Sequence, residues 1–221
     1  MISPAKSASG HEPAPKVTGP GRPKDLGKRA AILEAAKQLF AREGFAGVSM
    51  DKIAAEAGVS KLTVYSHFGD KEALFAAAIR AKCEEMMPAD LFQLELKGPL
   101  RSQRKAIASG FFALISSEEA ISTHRMMIAP GNADDPLRKL FWEAGPKRTH
   151  EHFAAFLRAR IETGELEIPD VARATVQFFI LLKGELHAHM LCGLCPNPAR
   201  ADVAAHLEAC VDLFLRAYAR R

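Results

Sequence analysis

The chain has 221 residues, of which 48% are hydrophobic and 25% are charged. This length is enough for one or two domains of ordinary size with an ample core. Apolar runs such as residues 178–182 are far shorter than the ~18 residues needed to span a bilayer. The N-terminus lacks the apolar region of a secretory signal. We therefore expect a cytoplasmic protein with no membrane partner and with its four cysteines reduced.

The formal net charge of +4 is concentrated at one end of the chain. Residues 1–80 contain 12 Lys and Arg against 8 Asp and Glu, whereas residues 81–221 contain 18 of each. A basic excess confined to one segment is typical of a surface that meets nucleic-acid phosphates. The excess is small, and it supports such a partner without identifying it.

Residues 1–24 are rich in Pro, Gly, Ala, Ser and Lys, and we expect them to form a disordered N-terminal arm. Residues 19–24 resemble the core of arms that insert a flat Arg side chain into a DNA minor groove. Arg22 is therefore a candidate DNA contact. A solvated linker with no DNA contact explains the same composition equally well.

Residues 49–71 predict two short helices, a turn between them and the start of a third helix. Ser49, Ser60 and Asp70 are suitable N-caps, because their side-chain oxygens can accept hydrogen bonds from the first turns of the helices that follow. Gly58 suits the position after a helix end, where a positive φ strains other residues. The pattern indicates a helix-turn-helix, whose second helix lies in the DNA major groove.

The same segment resembles the DNA-binding signature of the TetR/AcrR family of transcriptional regulators. The match covers about residues 25–80, and its core is Gly58-Val59-Ser60-x-x-Thr63-x-Tyr65-x-His67-Phe68-x-x-Lys71-Glu72-x-Leu74. The resemblance implies an all-α protein and not an enzyme. Its N-terminal three-helix DNA-binding domain, residues 25–71, carries the helix-turn-helix. A C-terminal helical ligand-binding and dimerisation domain of about six helices spans residues 72–221.

The resemblance also assigns roles around the second helix of the motif. Tyr65, His67 and Lys71 match family positions that hold the DNA backbone. The exposed positions that read bases are occupied by Lys61, Leu62, Thr63 and Ser66. With the cap residue Ser49 and the arm residue Arg22, these are the candidate DNA-binding residues.

The C-terminal part resembles the AefR-like subgroup around residues 141–146 and 181–187. The last two predicted helices, within residues 170–191 and 198–220, are apolar on more faces than one small domain can cover. We therefore expect a homodimer through these two helices, which would match a palindromic double-stranded operator. Internal core is the alternative explanation of the same apolar pattern.

The family resemblance also implies a small-molecule inducer. Met and aromatic side chains crowd the middle of the C-terminal part, as they would in an adaptable apolar cavity or in an ordinary core. The candidate ligand-binding residues are Phe112, Met126, Trp142, Phe179 and His187. A ligand among the middle helices would displace the helix that begins near Asp70 and release the DNA, as expected of a repressor.

A second hypothesis concerns His187, His189, Cys192 and Cys195, whose side chains are of types that bind zinc. These residues could make the chain a metal- or redox-sensing regulator, or a metal-dependent enzyme. Against this, the two histidines fall on different sides of a helix, and no second cysteine pair lies in range. The chain also lacks a phosphate-binding Gly-rich loop, a His-Glu-x-x-His motif and a Gly-x-Ser-x-Gly elbow. We therefore expect no metal site and no cofactor.

Overall fold

The computed structural model describes residues 25–93, 100–130 and 135–220, and within these ranges the regular structure is helical. The α-helices are α1 (Leu26–Gly47), α2 (Met50–Glu56), α3 (Lys61–Phe68), α4 (Lys71–Met86), α5 (Leu100–Ser116), α6 (Glu118–Ile128), α7 (Pro136–Ala144), α8 (Pro146–Glu162), α9 (Val171–Cys192) and α10 (Arg200–Tyr218). A short 3-10 helix covers Ala89–Phe92. The predicted all-α fold is confirmed. No helix in the described ranges is long and apolar enough to cross a membrane.

The N-terminal helices form the predicted helix-turn-helix, and each predicted cap makes its hydrogen bond. The Ser49 hydroxyl accepts from the Lys52 backbone N–H, and the Ser60 hydroxyl accepts from the Thr63 N–H at 3.1 Å. Gly58 adopts a φ of +64°, as the turn between α2 and α3 requires. The buried side chains of α1, α2 and α4 enclose Val64, the one fully buried residue that α3 contributes. This packing leaves most of α3 on the surface.

Helix α4 belongs to two hydrophobic cores. Its first half contributes Leu74 and Phe75 to the N-terminal core, and its last turns place Cys83 and Met86 against the core of the C-terminal domain. Six helices, α5 to α10, build that second domain. A rigid helix packed into both cores is a direct mechanical connection between them.

Helix α9 is interrupted at Gly184, which has φ +49° and ψ −160°. Only glycine adopts this conformation readily, and a Cβ there would lie 2.6 Å from Cε1 of His206 in α10. The interruption frees backbone carbonyls that α10 then satisfies. The His206 Nε2–H donates to the Leu182 carbonyl at 3.0 Å, and the Cys210 thiol donates to the Leu181 carbonyl at 3.3 Å. The bend in α9 and its packing against α10 therefore depend on each other.

Candidate nucleic-acid interface and ligand cavity

The surface of α3 presents a mixed polar and apolar set of side chains. Leu62 is 78% exposed, and Lys61 and Ser66 are also exposed. The Lys61 ammonium lies 2.9 Å from a carboxylate oxygen of Asp51, and both side chains are more than half exposed. An exposed pair of this kind is worth little in water, so the Lys61 ammonium can exchange Asp51 for another acceptor at small cost.

The remaining candidates on α3 are less exposed. Tyr65 is 42% exposed, and Thr63 and His67 are half-buried. The Thr63 hydroxyl is 2.8 Å from the Ser60 hydroxyl, so part of its hydrogen-bonding capacity is used within the helix cap. His67 Nδ1 is buried and has no hydrogen-bond partner in the described part of the chain. Ser49 acts as the cap of α2, and Arg22 lies outside the described residues with the rest of the expected arm.

Lys71 is half-buried at the start of α4, and its ammonium has partners within the domain. Its ammonium donates to the backbone carbonyls of Phe45 and Val48, both at 3.0 Å, and lies 4.2 Å from the centre of the Phe45 ring. These contacts close the junction between α1 and α2 over the start of α4. The role of Lys71 as a phosphate contact stays a prediction: in this structure without DNA, its ammonium is bonded inside the domain. Sequence could not show this, because the acceptors lie more than twenty residues away.

A cavity of about 420 Å³ lies between the two domains. Helices of both domains form its wall, with Phe40 from α1, Phe75 from α4, Phe111 from α5, Phe141 from α7 and Phe179 from α9. The size and the aromatic lining are those of a site for a small organic molecule. Trp142 and Ile180, which are 48% and 61% exposed, also line the cavity, so it reaches the surface between α7 and α9.

The structure divides the five candidate ligand-binding residues. Trp142 and Phe179 line the cavity, whereas Phe112, Met126 and His187 lie outside it. The Phe112 ring packs against the His206 ring of α10 at 6.2 Å. The Met126 sulfur accepts from the Phe45 backbone N–H at 3.3 Å, at the junction with the N-terminal domain. None of these three residues borders this cavity, and their contact with an inducer stays a prediction. A helical stripe in the sequence indicates which residues are apolar, but not which side of a core contains the void.

His187 is buried beside the cavity wall. Its ring meets that of His124 at 5.5 Å, and a hydrogen bond connects it to the Ile115 backbone. Burial lowers the pKa of His187 to about 4, with the neighbouring His124 and Lys183 adding to the shift. The imidazole is therefore neutral near pH 7.

Three polar residues of the cavity lining were not among the ligand-binding candidates predicted from the sequence. His124 and His150 both line the cavity, and burial lowers the pKa of each below its usual value. The His150 ring stacks on the Phe179 ring, with 5.0 Å between their centres. Lys183 lines the cavity from α9, on the same helix as Val176 and Phe179. One sequence feature could have identified Lys183: it lies on an apolar helical stripe, four residues after Phe179 and seven residues after Val176.

The proposed zinc-type cluster is not assembled. His187 is buried against His124, whereas Cys192, the last residue of α9, is exposed. His189 faces Glu185 at 3.5 Å. Across the described ranges, no three His, Cys, Asp or Glu side chains come close enough to hold a metal ion. Within the part of the chain that the structure describes, no observation favours the metal-sensing or metal-enzyme alternative.

Comparison with known proteins matches both parts of the chain. Residues 32–78 match the model "Bacterial regulatory proteins, tetR family". Residues 103–220 match the model "AefR-like transcriptional repressor, C-terminal domain". The HTH-type transcriptional repressor SCO4008 of Streptomyces coelicolor is 40% identical over 70 residues, which are 30% of this chain and 36% of that repressor. The chain's match therefore spans only about a third of that curated relative.

Solved structures match over nearly the whole chain. A protein from Mesorhizobium loti, described as a TetR-family transcriptional regulator, has a TM-score of 0.74 and 25% identity, covering 88% of this chain and 98% of that one. The flavonoid-responsive regulator FrrA has a TM-score of 0.68 and 32% identity, covering 89% of this chain and all of that one. The family of these proteins consists of DNA-binding transcriptional regulators, not enzymes. The chain belongs to the TetR family of bacterial regulatory proteins and carries an AefR-like C-terminal domain.

Proposed function

We propose that this protein is a transcriptional repressor that binds a palindromic operator as a homodimer and is released by a small, mostly apolar molecule. The observation that carries the proposal is the shared wall of the cavity. Phe40 and Phe75 belong to the N-terminal core, and Phe111 and Phe179 belong to the C-terminal core, yet all four line one void. A molecule in that void touches the DNA-binding domain itself. Acting on chromosomal DNA, such a repressor works in the cytoplasm.

Two helices connect the cavity to the DNA-binding helix. Helix α4 lines the cavity with Phe75, Ile79 and Cys83 and follows α3 after a single turn. Helix α6 lines it with Thr123, and from its opposite side the Ser122 hydroxyl donates to the Ala41 carbonyl of α1. A ligand that displaces either helix changes the position of α3. In a dimer, this would move the two α3 helices away from the roughly 34–36 Å spacing of successive major grooves. Ligand and DNA would then weaken each other's binding reciprocally.

The homodimer is proposed through α9 and α10. Ile180 on α9 and Leu213 on α10 are 61% and 54% exposed in the single chain, an arrangement that a second copy would cover. Leu213→Glu should convert the dimer to a monomer in sedimentation analysis and abolish operator binding. Leu26→Glu is the matched control, because Leu26 is also an exposed leucine, at 79%, but lies on α1. A Leu213→Glu protein that stays dimeric would refute this interface.

The DNA-binding proposal is tested with randomised-site selection and fluorescence anisotropy on the selected operator. Lys61 and Leu62 are the exposed residues proposed to read bases, by donation to guanine and by contact with a thymine methyl. Lys61→Ala should cost roughly 1–3 kcal/mol and relax the preference at one base pair per half-site. Selection of an unchanged site by the variant would remove Lys61 from base reading. Failure of the wild-type chain to select any palindrome would refute the proposed function.

A further inference from the structure

Among the residues that the structure describes, the cavity wall holds one ammonium group without a hydrogen-bond or ion-pair partner. Lys183 is half-buried in the wall, and across the described ranges its ammonium has neither a hydrogen bond nor an ion pair. Burial lowers the pKa of Lys183, since the charged form loses hydration beside apolar groups. Val176, Phe179 and Ile180 occupy the preceding turns of the same helix and also line the cavity. Lys183 therefore adds a positively charged side chain to an otherwise mainly apolar stretch of the lining.

The other charged groups of the lining are already paired. The Lys37 ammonium lies 2.7 Å from Glu34 and 3.2 Å from Glu85, and the Lys82 ammonium lies 3.5 Å from Glu119. His124 and His150 are neutral near pH 7, because burial lowers the pKa of each. Of the described residues that line the cavity, Lys183 is therefore the one with an uncompensated charge, and this charge is positive.

The neutral histidines supply weaker polar contacts. The His124 Nδ1–H donates to the Ala120 carbonyl at 2.8 Å, so Nε2 is left as an acceptor. The His150 ring is held between Phe179, on which it stacks at 5.0 Å, and the edge of Trp142 at 5.5 Å. The rest of the lining is mainly apolar and aromatic. A ligand that fits has a large apolar body and one charged group of negative sign.

We propose that the inducer is an amphipathic organic monoanion, an apolar body bearing one carboxylate, and that its carboxylate pairs with the Lys183 ammonium. The inference rests on the proposed function of the cavity as the inducer site. The ion pair would form in a partly dehydrated site, where a charged hydrogen bond contributes more than it does in bulk water. A neutral molecule of the same shape would leave Lys183 desolvated and unpaired, which is how the site would discriminate against it.

The test uses three probes with one aliphatic body: decanoate, 1-decanol and decylamine. Trp142 is the only tryptophan of the chain and lines the cavity, so its fluorescence reports occupancy directly. The purified full-length protein should bind decanoate at least about tenfold more tightly than 1-decanol, and decylamine most weakly. Decanoate should also release the selected operator at lower concentration than 1-decanol.

Three variants test whether Lys183 is the source of the preference for decanoate. Lys183→Met keeps the length of the side chain and should lower decanoate affinity about tenfold while retaining 1-decanol binding, which shows that the cavity is intact. Lys183→Arg keeps the charge and should retain the preference. Lys147→Met, an exposed position on the first turn of α8 and outside the lining, should behave as wild type.

The outcomes separate this inference from the proposed function. Equal affinity of the wild-type protein for decanoate and 1-decanol overturns the carboxylate inference alone. So does a Lys183→Met protein that keeps the wild-type preference, and this result assigns the preference to another group. If no probe changes Trp142 fluorescence or operator binding, the carboxylate inference fails, whereas the proposed function fails only if the wild-type chain selects no palindromic operator. The wild-type comparison needs no variant, so the inference stays testable even if Lys183→Met does not fold.

Discussion

Replacing Lys71 by Met separates a structural lysine from a DNA-contacting one. Met keeps the length of the side chain and removes the ammonium, so the Val48 carbonyl loses a donor at 3.0 Å in a residue that is 2% exposed. An unsatisfied buried carbonyl costs about 1–3 kcal/mol, and the lost contact with the Phe45 ring adds about 0.5–1 kcal/mol. Removing a cation from the first turn of α4 returns only about 0.3–1 kcal/mol. The net loss of stability is therefore about 1–3 kcal/mol.

The assay is thermal unfolding followed by circular dichroism at 222 nm, with operator binding measured at several salt concentrations at 20 °C. For a chain of this length the loss corresponds to a fall in Tm of roughly 3–10 °C. The slope of log Kd against log salt should stay at the wild-type value, because no phosphate contact is removed. Lys61→Ala is the control: its ion pair is exposed, so Tm should change little while operator binding weakens. A Lys71→Met protein with wild-type Tm and a salt slope reduced by about one would refute the inward assignment.

Three further predictions follow from the C-terminal domain. Gly184→Ala should lower the free energy of unfolding, measured in urea, by roughly 2–6 kcal/mol, because the backbone is strained and the new Cβ collides with His206. Gly47→Ala in α1 is the control and should leave this free energy unchanged. Equal effects of the two substitutions would contradict the requirement for glycine at position 184. Burial lowers the pKa of His187 to about 4 from an ordinary 6.5, so its contribution to stability, present above pH 6.5, should be lost as the pH falls towards 4. The His187→Phe protein should lose less stability over this pH range. Parallel curves of unfolding free energy against pH for the two proteins would refute this prediction. Trp142→Phe should fold, dimerise and bind DNA normally but need more inducer for release, and lost folding with a wild-type inducer response would place Trp142 in the core.

The sequence determined those features that depend on neighbouring residues. Ser49, Ser60 and Asp70 cap their helices because each bonds a backbone N–H three residues ahead. Gly58 turns the chain because of its own backbone freedom. The helix-turn-helix follows from these short-range interactions together with the fixed spacing of its apolar residues. The same short-range interaction begins α6, where the Ser117 hydroxyl accepts a hydrogen bond from the Ala120 N–H.

Only the tertiary structure decided how side chains from distant parts of the chain meet. Phe112, Met126 and Phe179 were candidate ligand contacts because Met and aromatic residues are abundant in that part of the sequence. Of these three, only Phe179 borders the cavity, since the void is defined by helices that are far apart in sequence. The family match assigns Lys71 to the DNA backbone, and only the fold shows that the Phe45 and Val48 carbonyls accept hydrogen bonds from its ammonium. For Lys183 the fold does the reverse: it places the side chain in an apolar wall, and none of the described residues accepts a hydrogen bond from its ammonium. Local sequence specifies caps and turns through bonds that span a few residues, whereas the partners of a charge depend on how whole helices pack.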